Sequence, residues 1–304
     1  MLKDIDSLIN IINTLKSYTW DKLIHSLTRD RGEVNIGLSN FDRLRYEIRP
    51  GDVLLVEGRT RISSIIKTVT QCCWTHSAIY VGRLHDIENP AIRAHIKRFY
   101  NGDPEEQLII EAMIGEGTLV DNLRKYRGEN LRICRPKGIT HQDAQKVINY
   151  AIKRLGSDYD VRQILDLLRF LFPYSILPRR WRSSLFQHHA GATTKTVCST
   201  MMAEAFASVH FPILPVLQYD EDHNLKLYRR NTKLITPSDF DYSPYFDVIK
   251  YPIFDFDELS VYKQLPWNSE GVMYNDADKI QVIDGSGNAN ILKAIRSDIT
   301  GTTN

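Results

Sequence analysis

Three short segments carry side chains able to do covalent chemistry. In Trp74-Thr75-His76-Ser77-Ala78-Ile79-Tyr80-Val81-Gly82 an imidazole opens an otherwise apolar run. Two-residue alternation puts His76, Ala78 and Tyr80 on one face of a strand. In Leu108-Ile109-Ile110-Glu111-Ala112 a carboxylate ends an apolar strand, where burial is costly unless the charge is paired. In Val197-Cys198-Ser199-Thr200 a thiol stands at the start of an amphipathic helix. A helix N-terminus stabilises a thiolate through its unpaired N–H groups and the macrodipole. An imidazole can take the thiol proton and return it to a leaving group. A carboxylate can hold the other ring nitrogen and so set the tautomer. Taken singly, each residue has an ordinary structural reading: a hydrogen-bonded His, a solvated strand-end Glu, a small buried Cys. Their convergence in space is not visible in the sequence.

The elements that must position these groups are legible from periodicity. Pro50-Gly51-Asp52 is a turn signal, and Val53–Val56 follows as a short buried strand. Residues 61–70 predict a helix with Ile62, Ile65, Ile66 and Val69 on one face. Strands are expected at 77–82, 108–112 and 131–135, which together suggest a small antiparallel sheet or barrel. The span 86–106 reads as a polar insertion, closed by Gly102-Asp103-Pro104. Ala144, Val147, Ile148, Ala151, Ile152 and Leu155 predict an amphipathic helix, with Thr140 and Asp143 as a capping box and Gly156 as a stop. Further helices are expected at 3–28, 160–172 and 196–209. Residues 265–304 are rich in Asn, Asp, Gly, Ser and Thr and read as a polar tail.

Composition narrows the function classes. The chain has 304 residues with 39 Lys+Arg and 37 Asp+Glu, a formal charge of +2. That balance offers no electrostatic case for nucleic acid, and Arg179, Arg180 and Arg182 are too short a basic run to track phosphates. Four cysteines, at 72, 73, 134 and 198, form no disulfide framework. No apolar run reaches the ~18 residues of a membrane span, and the N-terminus lacks a secretory pattern. A cytoplasmic location is the default, with carriage in a phage particle as the other expectation. Cys72-Cys73 with His76 invites a zinc reading, but no second ligand pair accompanies it. Asn275-Asp276-Ala277-Asp278 lacks the Gly and terminal Glu of a calcium loop.

The order of several motifs resembles the permuted NlpC-type papain-like cysteine hydrolases (YiiX-like). These are Pro50-Gly51-Asp52-Val53-Leu54-Leu55, Thr75 to Gly82, Ile110-Glu111-Ala112, Gly117-Thr118-Leu119-Val120 and Ile133-Cys134-Arg135. Gly156-Ser157-Asp158-Tyr159-Asp160, Val197-Cys198-Ser199 and Thr236-Pro237-Ser238-Asp239-Phe240 continue the series, which spans about 47–251. The resemblance implies an α+β, permuted papain-like fold: a small antiparallel β-sheet or barrel packed against helices. It implies Cys198 as nucleophile, His76 as base and Glu111 as orienting partner, with the Cys198 backbone N–H as one oxyanion donor. Tyr159 is a polar neighbour of the cleft, and His188-His189 is a weaker alternative to His76. No metal or organic cofactor is required. The implied organisation is an N-terminal helical arm (1–40), a catalytic domain (41–252) and a polar C-terminal extension (253–304).

Three function classes share these residues. One is a cysteine hydrolase acting on amides, with peptidoglycan peptides as the substrate by analogy. The second is an acyltransferase or lipase using the same triad, with the apolar 164–186 segment as acyl groove. The third is a non-catalytic assembly protein, such as a virion component. The expected partner is a peptide, amide or acyl substrate, and the N-terminal helix and C-terminal tail are left for a protein partner.

Overall fold

The run Val53-Leu54-Leu55-Val56 is apolar at every position, the signature of a strand covered on both faces. It forms the middle of the main sheet in this computed structural model, which describes residues 37–157, 198–254, 265, 272–275, 279–283 and 289–293. The chain divides into two units, residues 1–253 and 254–304.

In the first unit the described elements begin α1 (Phe41–Glu47), β1 (Val53–Glu57), α2 (Arg61–Thr70), β2 (His76–Gly82), α3 (Pro90–Ile96) and β3 (Leu108–Met113). They continue β4 (Gly117–Asn122), β5 (Asn130–Pro136), α4 (His141–Lys153), α5 (Cys198–Ser208), β6 (Val216–Tyr219) and β7 (Leu225–Tyr228). The last two are α6 (Pro237–Tyr242) and β8 (Phe246–Ile249). Six strands make one antiparallel sheet in the order β4-β3-β2-β1-β5-β8. The sheet is open, so of the two expected forms, sheet or barrel, it takes the first. Helices cover both of its faces, which leaves no lumen for strands to enclose, and β4 and β8 remain as edges.

Alternation along the strands decides which helix each residue meets. Val53, Leu55, Ile79, Val81, Leu108 and Ile110 share one core with Val147, Ile148, Ala151 and Ile152 of α4 and Met201, Met202, Ala205 and Phe206 of α5. Leu54, Val56, Ala78, Tyr80, Ile109 and Ile133 point the other way, onto Phe41 and Leu44 of α1 with Leu123 and Tyr126. Register pins this alternation: Val56 pairs with His76 and Leu55 with Ser77.

Local signals set the helix ends. Thr140 caps α4 by accepting from the Asp143 N–H at 3.1 Å. Beyond α4, Gly156 adopts φ +77°, a conformation that favours glycine, and its N–H reaches Thr118 O at 2.9 Å. The Thr236-Pro237-Ser238-Asp239 run is a helix start: Asp239 Oδ2 accepts from the Thr236 N–H at 2.7 Å, with proline at the first turn. Ser199 Oγ donates to Ile235 O at 2.6 Å, tying the start of α5 to that segment.

Two expectations change. The 86–106 insertion is not only polar: α3, capped by Asn89, buries Ile92 and Ile96 in the main core. Its average polarity hides three apolar residues, Ile87, Ile92 and Ile96, all buried. The C-terminal span is also more than a tail. It contains an antiparallel sheet of β9 (Val272–Asn275), β10 (Lys279–Ile283) and β11 (Ala289–Lys293) in the order β11-β10-β9. Turn-forming residues between its strands made the segment look unstructured. The readings at 3–28, Tyr159, 160–172, 164–186, Arg179 to Arg182 and His188-His189 lie outside the described residues. No described helix is long and apolar enough to cross a membrane.

Candidate active site

Glu111 is fully buried on β3, and three side chains converge on its carboxylate. His76 Nε2 lies 2.6 Å from Oε2, Lys125 Nζ donates to Oε1 at 2.5 Å, and Tyr126 Oη donates to Oε2. Lys125 also reaches Asp121 at 2.9 Å. Burial alone would push the Glu111 carboxyl up, but the hydrogen bond and charge of His76, then those of Lys125, bring its pKa down to about 2. It is therefore a carboxylate at any ordinary pH. Burial and the adjacent carboxylate together push the Tyr126 phenol well above its usual value, so it stays a donor.

Strand geometry explains the meeting of His76 and Glu111. The β2–β3 ladder pairs Ile79 with Ile110, so residues 76, 78 and 111 share a face at one end of the sheet. Lys125 and Tyr126 arrive from a 3-10 turn, Leu123–Tyr126, that follows β4 and doubles back beneath β3.

Cys198 opens α5, is only 5% exposed, and lies close enough to His76 for the imidazole to act on its thiol. With Nε2 turned to Glu111, Nδ1 is the ring nitrogen left for the thiol. Burial pushes the Cys198 thiol up, but the charge and hydrogen bond of His76, followed by contacts from the Ser77 N–H and hydroxyl, outweigh it. Its pKa falls below the ordinary thiol value. The reciprocal effect acts on the imidazole. Burial lowers its pKa, while the Cys198 charge and hydrogen bond, and then Glu111, raise it to about 10. The pair thus favours thiolate and imidazolium over thiol and imidazole.

The sulfur is lodged among apolar groups. Ile62 of α2 and Ala112 of β3 are buried against Cys198, with Ile66 and Ile114 packed alongside. The other cysteines differ. Burial raises the thiol pKa of both Cys134 and Cys73. Among the described residues no three His, Cys, Asp or Glu side chains group as a metal site requires. A cavity of about 250 Å³ lies at the far end of α5, lined by Ala203, Ala207, Phe211, Leu227 and Tyr228 among others, and includes none of His76, Glu111 or Cys198.

The structure thus brings His76, Glu111 and Cys198 together, while Tyr159 is outside the described residues. Lys125 and Tyr126 were missed by the sequence reading. They carry no motif, and only the pairing of β4 with β3 brings them under Glu111.

Comparison with known proteins adds a family. Residues 47–166 match a family described as "Permuted papain-like amidase enzyme, YaeF/YiiX, C92 family". The matched span contains His76 and Glu111 and ends before Cys198. A solved structure titled as the metalloprotein yiiX from Escherichia coli O157:H7 is 12% identical, with a TM-score of 0.41 over 67% of this chain and 97% of that one. No curated protein matches the sequence.

Proposed function

We propose, from the premise that residues 47–166 are similar to the permuted papain-like amidases, that the protein is a cysteine hydrolase of amidase type. One observation carries the reading: a single imidazole is hydrogen-bonded at 2.6 Å to a buried carboxylate and stands beside a buried thiol at the start of a helix, whose pKa it lowers. The Cys198 thiolate attacks a carbonyl carbon, forming a C–S bond as the carbonyl electrons move onto oxygen. The tetrahedral intermediate collapses, the C–N bond breaks, and His76 gives its proton to the departing amine. His76, now neutral, takes a proton from water, whose oxygen attacks the thioester. The acid leaves and the thiolate–imidazolium pair is restored. Glu111 holds the imidazole in orientation and stabilises its charge throughout.

The apolar wall of Ile62, Ile66, Ala112 and Ile114 favours a second reading in which the acyl group is hydrocarbon, as in a lipid acyl hydrolase or transferase. Turnover of peptidoglycan-derived peptides and of phospholipid vesicles by the unsubstituted protein and by Cys198→Ala separates the two. Release of new amines from the peptides supports the amidase. Release of fatty acid supports the lipid reading. Absence of both, with Cys198 no more reactive to iodoacetamide than Cys72 or Cys73, would leave a non-catalytic assembly role.

A further inference from the structure

Ser77 follows His76 on β2 and is fully buried. Its neighbours two and four residues on, Ile79 and Val81, face the helix layer that includes α5. Alternation therefore turns the Ser77 side chain toward the helix that Cys198 opens, away from the face that carries His76 and Glu111. The Ser77 N–H and hydroxyl lie near enough to the Cys198 thiol to help lower its pKa. The β2–β3 ladder begins only at Ile79↔Ile110, so Ser77 lies beyond it. The Ser77 Oγ has no hydrogen-bond partner among the described residues.

A buried hydroxyl without an oxygen or nitrogen partner is costly in the resting protein. Such a donor is useful where a partner appears only during reaction. We propose that the Ser77 hydroxyl, with the Cys198 backbone N–H, donates a hydrogen bond to the oxyanion formed when Cys198 attacks a carbonyl. The Cys198 N–H belongs to the first turn of α5 and, among the described residues, has no intrahelical acceptor. When the C–S bond forms, the carbonyl π electrons become a lone pair on oxygen one bond from the attacked carbon. That oxygen develops beside the sulfur, where the Ser77 hydroxyl sits. The inference rests on the acyl chemistry proposed for Cys198 and adds a residue that no motif had singled out.

Two reactions of the same sulfur test it. Acylation by p-nitrophenyl butyrate passes through an oxyanion, whereas alkylation by iodoacetamide does not. In Ser77→Ala, acylation of Cys198 should slow by about 100-fold, the range for loss of one oxyanion donor. Alkylation should slow far less, by no more than a small upward shift of its pH midpoint accounts for, because the Ser77 hydroxyl also helps to lower the Cys198 pKa. Equal slowing of both reactions would overturn the inference, because Ser77 would then act only through the thiolate. An unchanged acylation rate would overturn it as well. If the unsubstituted protein, alkylated normally at Cys198, is not acylated at all, the hydrolase reading fails and this inference falls with it. An effect of Cys198→Ala and His76→Ala on acylation, with none from Ser77→Ala, removes only the inference.

Discussion

A carboxylate buried as fully as Glu111 has to be held by donors, and here they come from three directions. His76 takes one oxygen, Tyr126 shares it, and Lys125 takes the other. Lys125 supplies the fixed cation, so the carboxylate keeps its charge whichever state the imidazole adopts. This arrangement predicts the effect of Glu111→Gln. The amide is neutral, so the imidazolium loses its stabilising anion, and turnover should fall by about 10²–10⁴-fold, as when a triad carboxylate is neutralised. Steady-state rates measured beside those of Lys125→Met would separate loss of the anion from loss of its cationic support. The Cys198–His76 pair makes a prediction in pH. Because the Cys198 pKa lies below its ordinary 9.0, iodoacetamide should label it at pH values where a free thiol is protonated. Activity should hold until His76 deprotonates near pH 10. His76→Ala removes the main stabilising charge and should move the alkylation midpoint upward. A midpoint unchanged by that substitution would refute the pairing.

At the scale of elements, each part of the site sits where an element begins or ends. His76 is the first residue of β2 and Cys198 the first of α5, while Glu111 precedes the last two residues of β3. Such positions keep backbone pairing intact while directing side chains past the end of the sheet. Helix α2 forms the apolar wall over the sulfur through Ile62 and Ile66. Replacing Ile62 with Ala should enlarge the space beside Cys198. The expected outcome is a shift in the chain-length preference among p-nitrophenyl esters toward longer acyl groups, read as the ratio of octanoate to acetate rates. Helix α4 gives a stability prediction away from the chemistry. Thr140→Ala removes the cap of a helix packed on the core and should cost about 1 kcal/mol, read from denaturant unfolding.

Over the whole molecule, two cores on opposite faces of one sheet carry the fold, and an ion cluster pins the sheet to α1. Arg135 of β5 pairs with buried Asp52 at 2.8 Å and with Glu47 of α1 at 2.7 Å. Asp52 is 2% exposed, and its burial outweighs the arginine in raising its pKa. Removing one partner of a buried pair strands the other, so Arg135→Met should destabilise the protein by about 3–5 kcal/mol. Thermal unfolding would show it, and Asp52→Asn in the same background should recover part of the loss. Stability should also follow pH. Glu111 has a pKa near 2 in the folded chain and 4.5 ordinarily, so its contribution is complete above about pH 4.5 and is lost as pH falls toward 2. His76 works in the other direction: its contribution is complete below its ordinary 6.5 and is lost as pH rises toward 10.

The amino-acid sequence by itself determined the parts. Short apolar runs such as Val53–Val56 and Ala78–Val81 and the 3.6-residue spacing from Ala144 to Leu155 depend only on which side chains avoid water, and they marked strands and helices within a few residues of their observed ends. The chemically able residues were legible for a similar reason, since a buried Glu or an apolar-strand His stands out against its own neighbours. Tertiary structure decided everything that depends on residues far apart in sequence. It placed Lys125 and Tyr126 beneath Glu111, turned Ser77 toward the sulfur, left the sheet open and gave Leu84, Ile87, Ile92 and Ile96 a core to enter. The C-terminal strands went unread because their turns dominate a short segment. The physical reason is common to all of these: a carboxylate's partners and a hydroxyl's vacancy are set by strand register and helix packing, which pair residues across many positions of chain and leave no local periodicity to read.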